Sequence, residues 1–259
     1  MSRFRHPGVA ALVLAAGQGT RMGSDLAKVL HTMAGRPLLR HVLDSVEDLG
    51  PGRTMVVIGH QRDRVRAAFP DPGLEWVEQA DQRGTGHAVM MAAPALRGFR
   101  GTLLVVYGDT PLLTAATLHE LLEAHAGSGA AVTVLSMRVP DPQGYGRIVR
   151  GPGASIRAIV EDRDASPEER RIDEVNSGVY AFDWPRLERA LEGLTAHNAQ
   201  GEYYLTDAVG LIRGAGHPTA VCLARDYREL LGINTEAQLA EAERAWAELR
   251  EGRAPRPGR

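Results

Sequence analysis

The sequence predicts an α/β protein: a mostly parallel central sheet, helices on both of its faces, and a small sheet extension. Three observations carry this expectation. Short runs rich in Val, Ile and Leu recur through the first half, at Val9–Ala15, Thr54–Ile58, Leu74–Val77, Thr102–Tyr107 and Ala131–Met137. Segments with helical spacing lie between them, at Pro37–Asp48, Arg62–Phe69, His87–Ala93 and Ala115–Ala126. The first run leads directly into Gly17-Gln18-Gly19. Strands that alternate with helices build parallel sheets covered on both faces. Pro37 follows Gly35-Arg36 at a position suited to a first helical turn, and Leu38, His41, Val42 and Ser45 continue one face.

The character changes after Met137. Pro140-Asp141-Pro142 is a turn, and Gly144 to Val149 begins a hairpin-like stretch that continues through Gly151-Pro152-Gly153. Ile156–Val160 and Val175–Phe182 read as strands of a sheet extension, joined by a charged connector from Asp162 to Asp173. Helices at Pro185–Leu194 and Asp207–Gly214 and a strand at Thr219–Leu223 follow. Thr235, with Gln238 three residues on, has the pattern of a helix cap. The expected organisation is one domain over residues 1–234, then a C-terminal helix and a frayed Pro-, Gly- and Arg-rich tail over 235–259.

The totals narrow the function. A chain of 259 residues with 44% hydrophobic and 24% charged residues has the balance of a soluble globular protein. The net charge of −2 gives no basic field for nucleic acid, so an anionic ligand must be held by local groups. Cys222 is the only cysteine, which excludes an internal disulfide framework and a four-cysteine zinc site and fits a reducing cytoplasm. The apolar run Val9–Ala16 is too short to span a bilayer, so no membrane association is expected. No His-Glu-x-x-His or Gly-x-Ser-x-Gly occurs.

The loop after the first strand is the main chemical signal. Leu14-Ala15-Ala16-Gly17-Gln18-Gly19-Thr20-Arg21-Met22-Gly23 is followed closely by Lys28. Glycines after a parallel strand let main-chain N–H groups approach a phosphate chain. Arg21 and Lys28 supply positive charge to the same anion. Two common phosphate-binding patterns fail on spacing. A dinucleotide fingerprint needs glycine where Met22 stands, and an acid near the second strand end, where Gly59-His60-Gln61 stands instead. The ATPase loop needs Gly-Lys-Ser/Thr, which the sequence lacks.

Leu14 to Met22 with Ser24-Asp25-Leu26-Ala27-Lys28-Val29-Leu30-His31 resembles the signature of the nucleotide-diphosphosugar pyrophosphorylases, whose fold is Rossmann-like. Within them it resembles the uridylyltransferase domain of the bifunctional N-acetylglucosamine-1-phosphate uridylyltransferases. Four further segments agree in order: Gln79 to Ala88, Tyr107 to Leu112, Gly144 to Ile148 with Ile159-Val160-Glu161, and Asn198 to Asp207. The resemblance runs from about Val9 to Arg244. It implies that Leu14, Ala15, Ala16 and Gly17 line a nucleotide, with Arg21 and Lys28 on its triphosphate. It implies that Gln79, Gly84 and Thr85 read a uracil edge, and that Tyr107, Gly108 and Asp109 lie under the ribose and a metal. Gly146, Glu161 and Asn176 match positions that hold an acetamido sugar, and Asn234 matches a second metal ligand. Read alone, Glu161 is a surface charge after a strand, and Asp109 a turn residue.

Two departures stand out. Ala27 replaces a proline usual in the family, and Thr235-Glu236 replaces a more usual polar-basic pair beside Asn234. The left-handed β-helix of hexapeptide repeats that follows in the bifunctional relatives is not visible, so acetyltransferase activity is not expected.

The resemblance implies transfer of UMP from UTP to N-acetylglucosamine 1-phosphate, with Mg²⁺ held by Asp109 and Asn234 and with Arg21, Lys28 and Asp109 as catalytic residues. One carboxylate, one amide oxygen and substrate phosphates suit that hard ion. The partners expected are UTP and a sugar 1-phosphate, with no nucleic acid and no membrane, and the oligomeric state is open. The competing readings are a sister nucleotidyltransferase for another nucleotide or sugar, such as glucose 1-phosphate, and a non-catalytic nucleotide-sugar-binding protein.

Overall fold

A computed structural model of the chain describes residues 3–151 and 155–253. The expected turn at Pro152-Gly153 and the tail beyond Arg253 lie outside the described residues.

In chain order, β1 (His6–Ala15) runs into two short 3-10 turns and a two-stranded ribbon, β2 (Thr32–Met33) with β3 (Arg36–Pro37). Next come α1 (Leu38–Leu49), β4 (Pro51–Ile58), α2 (Arg62–Ala68), β5 (Leu74–Glu78), α3 (Thr85–Ala92) and β6 (Thr102–Tyr107). The second half contains α4 (Ala115–Ser128), β7 (Val132–Arg138), β8 (Arg147–Arg150), β9 (Ile156–Val160) and β10 (Glu174–Asp183). It ends with α5 (Trp184–Leu191), α6 (Leu205–Gly214), β11 (Thr219–Leu223) and α7 (Glu236–Arg253).

The strands of the main sheet lie in the order β11-β7-β10-β6-β1-β4-β5. β1 pairs in parallel with β4 and with β6, and β4 in parallel with β5. The chain therefore moves outward from β1 to β4 and β5, then crosses back and lays β6 on the other side of β1. Such a reversal opens a crevice at the carboxyl ends of the strands on either side of it, here β1 and β6.

From Val9 onward β1 is apolar because both of its faces are covered. Ala10, Leu12 and Leu14 point into one core with α3, α5 and α6. Val9, Ala11, Val13 and Ala15 point into the other with α1, α2 and α4. A third, smaller cluster joins Met22 of the glycine loop, Met33, Leu38, Leu112, Ile233 and the α7 residues Ala242 and Ala245.

The sheet departs from the sequence reading in one place that matters. Val175–Phe182 was expected in the extension, but β10 lies in the central sheet, antiparallel to both β6 and β7. Its first residues also pair with β8, and β8 pairs with β9, so the extension is the β8–β9 hairpin hung on the start of β10. Because β10 runs against β6, its amino end lies at the carboxyl edge of the parallel strands. Two smaller differences concern helices. Pro37 closes the β3 ribbon and caps α1 rather than entering its first turn. α7 extends to Arg253, where the tail was expected to fray.

The third cluster makes a specific prediction. Met22 is fully buried between the glycine loop and α7. Met22→Ala is expected to cost about 2–5 kcal/mol of unfolding free energy by denaturant titration, the range for large-to-small core changes. An unchanged midpoint and slope would show that the cluster is not a core.

Candidate active site

β1 delivers Ala15, Ala16 and Gly17 to the crevice, and its end is tied to both neighbours. Gly108 N donates to Leu14 O (2.9 Å) and His60 N donates to Ala16 O (3.3 Å). A Cβ at Gly17 would meet nothing within 4 Å, so no contact in the fold requires glycine there. Its bare backbone faces the cleft. Gly19 is different: it has φ +70°, and a Cβ on it would fall 2.5 Å from the Cβ of Lys28. Glycine there lets Lys28 pass against the loop. The stretch leading to Lys28 is braced by Gln61, whose Oε1 accepts from Ala27 N (3.1 Å) and whose Nε2 donates to Asp25 O.

Three segments distant in sequence converge on Lys28. Its Nζ donates to Asp109 Oδ2 and to Asn234 Oδ1 (3.0 Å), and Arg21 Nη2 donates to the same Asn234 oxygen (3.0 Å). The Lys28 and Asp109 side chains are only 14% and 12% exposed, so each needs the other's charge. Main-chain contacts fix the frame: Ile233 N donates to Asp109 O (2.9 Å), and Asn234 N donates to Gln238 Oε1 (2.7 Å). Gln238 N in turn donates to Thr235 Oγ1 (3.2 Å), so Thr235 caps α7 as its sequence suggested. The ammonium thus stands between a carboxylate and an amide oxygen. Both are hard donors suited to a divalent cation that keeps part of its water shell. The ammonium itself shows that this position accepts positive charge. Among the described residues no group of three or more His, Cys, Asp or Glu side chains is placed to hold a metal ion, so the missing ligands of such an ion would have to come from substrate and water.

The end of β5 builds a different surface. Gln79 is buried, and its Nε2 donates to Gly84 O (3.1 Å) and faces His87 Nδ1 (3.1 Å). Gly84 has φ +103°, and a Cβ on it would sit 2.6 Å from Tyr203 O. That close approach is locked by Gly86 N to Tyr203 O and Tyr203 N to Arg83 O, both 2.8 Å. The Arg83 guanidinium lies over the Tyr203 ring, 5.0 Å from its centroid. Thr85 Oγ1 accepts from Leu205 N (3.1 Å), joining α3 to the start of α6. Burial pushes the Tyr107 phenol well above its ordinary range, so it stays neutral beside Asp109.

The opposite end is acceptor-rich. The antiparallel run of β10 puts Asn176 here, with its N donating to Gly146 O (2.8 Å). Its Nδ2 donates to the Tyr180 hydroxyl (2.6 Å), and its Oδ1 accepts from Gly178 N (3.0 Å). Glu161 Oε1 accepts from Thr206 Oγ1 (2.9 Å). Burial raises the Glu161 pKa; the Thr206 hydrogen bond opposes that shift without overcoming it.

Of the residues singled out in the sequence, Leu14, Ala15, Ala16, Gly17, Lys28, Gln79, Gly84, Thr85, Tyr107, Asp109, Gly146, Glu161, Asn176 and Asn234 line one cleft of about 450 Å³. Arg21 stands outside it, exposed, and reaches it through Asn234. Gly108 lies behind the wall, where a Cβ would press on Ala15 and Leu39 at 3.2 Å. Gln61, His87 and Thr206 carry structural weight that the sequence reading did not give them. By spacing alone Gln61 is only a non-acidic residue after the second strand. Thr206 lay inside a motif without a role.

Comparison with known proteins fits this geometry. Residues 11–253 match the family described as the MobA-like NTP transferase domain. The chain belongs to that family. It is 51% identical over 241 residues to the bifunctional protein GlmU of Thermobifida fusca, covering 91% of this chain and 50% of that protein. Against the bifunctional protein GlmU of Corynebacterium efficiens it is 52% identical over 239 residues, covering 90% and 49%. The Nostoc sp. protein of the same name is 48% identical over 234 residues, covering 90% and 51%. The chain therefore spans about half the length of the curated relatives it matches. A crystal structure of UDP-glucose pyrophosphorylase complexed with UDP-glucose shares the fold, with TM-score 0.73 at 18% identity, covering 93% of this chain and 99% of that one. No helix among the described residues of this family member is long and apolar enough to cross a membrane.

Glu161 gives the site a pH signature. Its folded-state pKa lies above the unfolded value, so the native state favours the protonated acid. The stability linked to this group is full below the ordinary carboxylate range and is lost as pH rises through the raised pKa. Glu161→Gln is expected to raise Tm above the parent near pH 8 and to match it near pH 4, about the bottom of that range. A parent and variant with equal Tm at both pH values would mean that the buried charge is no burden to the fold.

Proposed function

We propose that this chain transfers UMP from UTP to N-acetylglucosamine 1-phosphate, forming UDP-N-acetylglucosamine and releasing pyrophosphate. The observation that carries the reading is a single cleft with the Lys28 ammonium inside it and Arg21 at its margin, a base-sized donor–acceptor edge on one side and half-buried acceptors on the other. Membership of an NTP transferase family and half identity to proteins named GlmU support the same choice. The base edge favours uracil. Among the described residues neither Gly84 N–H nor Gln79 Oε1 has a hydrogen-bond partner, leaving one donor and one acceptor. Uracil offers O4 and N3–H to such a pair. Cytosine offers an amino group and an unprotonated N3, the reverse order.

The acceptor's phosphate oxygen is an anion at neutral pH, so no general base is required. It attacks the α-phosphorus of UTP. A new P–O bond forms, the bond from the α-phosphorus to the bridging oxygen breaks, and its electron pair leaves with pyrophosphate. Lys28 and Arg21 neutralise the charge that gathers on the α-phosphate and the leaving group. Asp109 and Asn234 would hold Mg²⁺, which when bound would supply Lewis-acid neutralisation of the same charge. Glu161, kept beside Thr206, accepts from sugar hydroxyls, and Asn176 and Gly146 border the same sugar. The substrates are small anions, and the working compartment in this reading is the cytoplasm.

Lys28→Ala and Arg21→Ala are each expected to lower kcat/KM on the order of 10²-fold or more, about 3 kcal/mol of barrier. The assay is pyrophosphate release from UTP with N-acetylglucosamine 1-phosphate. Parallel reactions with glucose 1-phosphate, with other triphosphates and with a metal chelator separate this reading from its sister activities. Near-parent turnover in both variants would remove the two cations from the chemistry.

A further inference from the structure

We propose that His87 is a positioning residue that sets the choice between uracil and cytosine by fixing which way the Gln79 amide faces. The inference rests on the reading of the cleft as a uridine-nucleotide site. Gln79 is 3% exposed, with its amide nitrogen 3.1 Å from Gly84 O and 3.1 Å from His87 Nδ1. A main-chain carbonyl can only accept, so the amide end facing Gly84 is the NH₂ group. Its second N–H then points at His87 Nδ1, which must carry a lone pair. His87 is therefore the neutral tautomer with its proton on Nε2.

Two N–H groups spent on two protein acceptors leave only Oε1 for the cleft, and an acceptor there matches the N3–H of uracil. Turning the amide over would offer NH₂ instead, which suits the bare N3 of cytosine. The Gly84 carbonyl opposes that turn, but the same oxygen also accepts from Ala88 N (3.1 Å) at the start of α3. It is a shared anchor, and His87 is the second. His87 in turn is held against Tyr203, whose ring centroid lies 6.4 Å away, on the clasp that closes over Gly84. Without the Nδ1 acceptor one of the two clashes that forbid the turned amide is gone, so UTP should lose its advantage while the cation cluster is untouched.

The test is kcat/KM for UTP and for CTP in the parent, His87→Leu and His87→Asn, with KM and kcat resolved. Asn can present Oδ1 where Nδ1 stands. The expected result is a parent that prefers UTP, and a His87→Leu ratio of UTP to CTP lower by about tenfold, the worth of one hydrogen bond, carried mainly by KM. His87→Asn should restore most of the preference. An unchanged ratio in His87→Leu overturns the proposal, as does an equal loss in both variants. A parent without preference for UTP overturns the uridine reading and this proposal with it, and that failure is visible before any variant is made. Nitrogen-15 NMR of His87 in the parent protein gives a check free of folding defects: the proton must sit on Nε2, and a proton on Nδ1 overturns the proposal.

Discussion

The Lys28 ammonium, shared between the Asp109 carboxylate and the Asn234 amide oxygen, is the contact on which the architecture of the cleft depends. It joins the glycine loop after β1, the end of β6 and the entry to α7 at one nearly buried point. A buried charge without a partner is costly, so these segments cannot drift apart independently. The third hydrophobic cluster serves the same end. Met22 stands beside Arg21 and Ile233 beside Asn234, and α7 packs on both. Gln238 connects the two systems, because one turn of α7 both caps the helix and holds the Asn234 main chain. The departure at Thr235-Glu236 therefore leaves Asn234 well oriented, with Thr235 serving as the cap.

Sheet topology decides what else can reach that point. Parallel β1, β4, β5 and β6 all end at one edge, which brings the glycine loop, Gln79 and Asp109 together. Residues from the second half could not join them if β10 ran parallel, since its amino end would then lie at the far edge. Running antiparallel, β10 enters at the cleft, brings Asn176, and carries the β8–β9 hairpin with Gly146 and Glu161. One reversed strand thus turns a nucleotide-sized crevice into a cleft with two ends.

Much of this was legible in the sequence because it is local. Thr102–Tyr107, Ile156–Val160 and Thr219–Leu223 agree to the residue, since a strand is a run of branched apolar side chains bounded by turns. The Thr235–Gln238 cap was legible for the same reason. The position of β10 was not, because an apolar strand in a mixed sheet has one pattern whichever way it runs. The cation cluster was only half legible. Arg21 and Lys28 follow a glycine loop, which is a chemical signal, whereas Asn234 is a lone amide more than 200 positions from Lys28 and entered through resemblance alone. Gln61, His87 and Thr206 act on Asp25 and Ala27, on Gln79, and on Glu161, across turns whose geometry no spacing rule encodes.

In the proposed reading, the distribution of charge along the cleft sets the direction in which a nucleotide sugar lies. Lys28 stands inside it with Arg21 at its margin, where that reading puts the phosphates. Glu161, with Asp164 and Asp207 near enough to raise its pKa further, gives the end assigned to the sugar acceptors that suit hydroxyl donors. At the Gln79 end the proposed selection is by the order of donor and acceptor. A ligand turned end for end would set its base among carboxylates and its sugar hydroxyls against an edge built for one flat ring. Orientation in that reading is set by acceptors at one end and hydrogen-bond order at the other. Neither device requires the cleft to change shape, so the reacting phosphates can be aligned by the binding of the two ends they do not include.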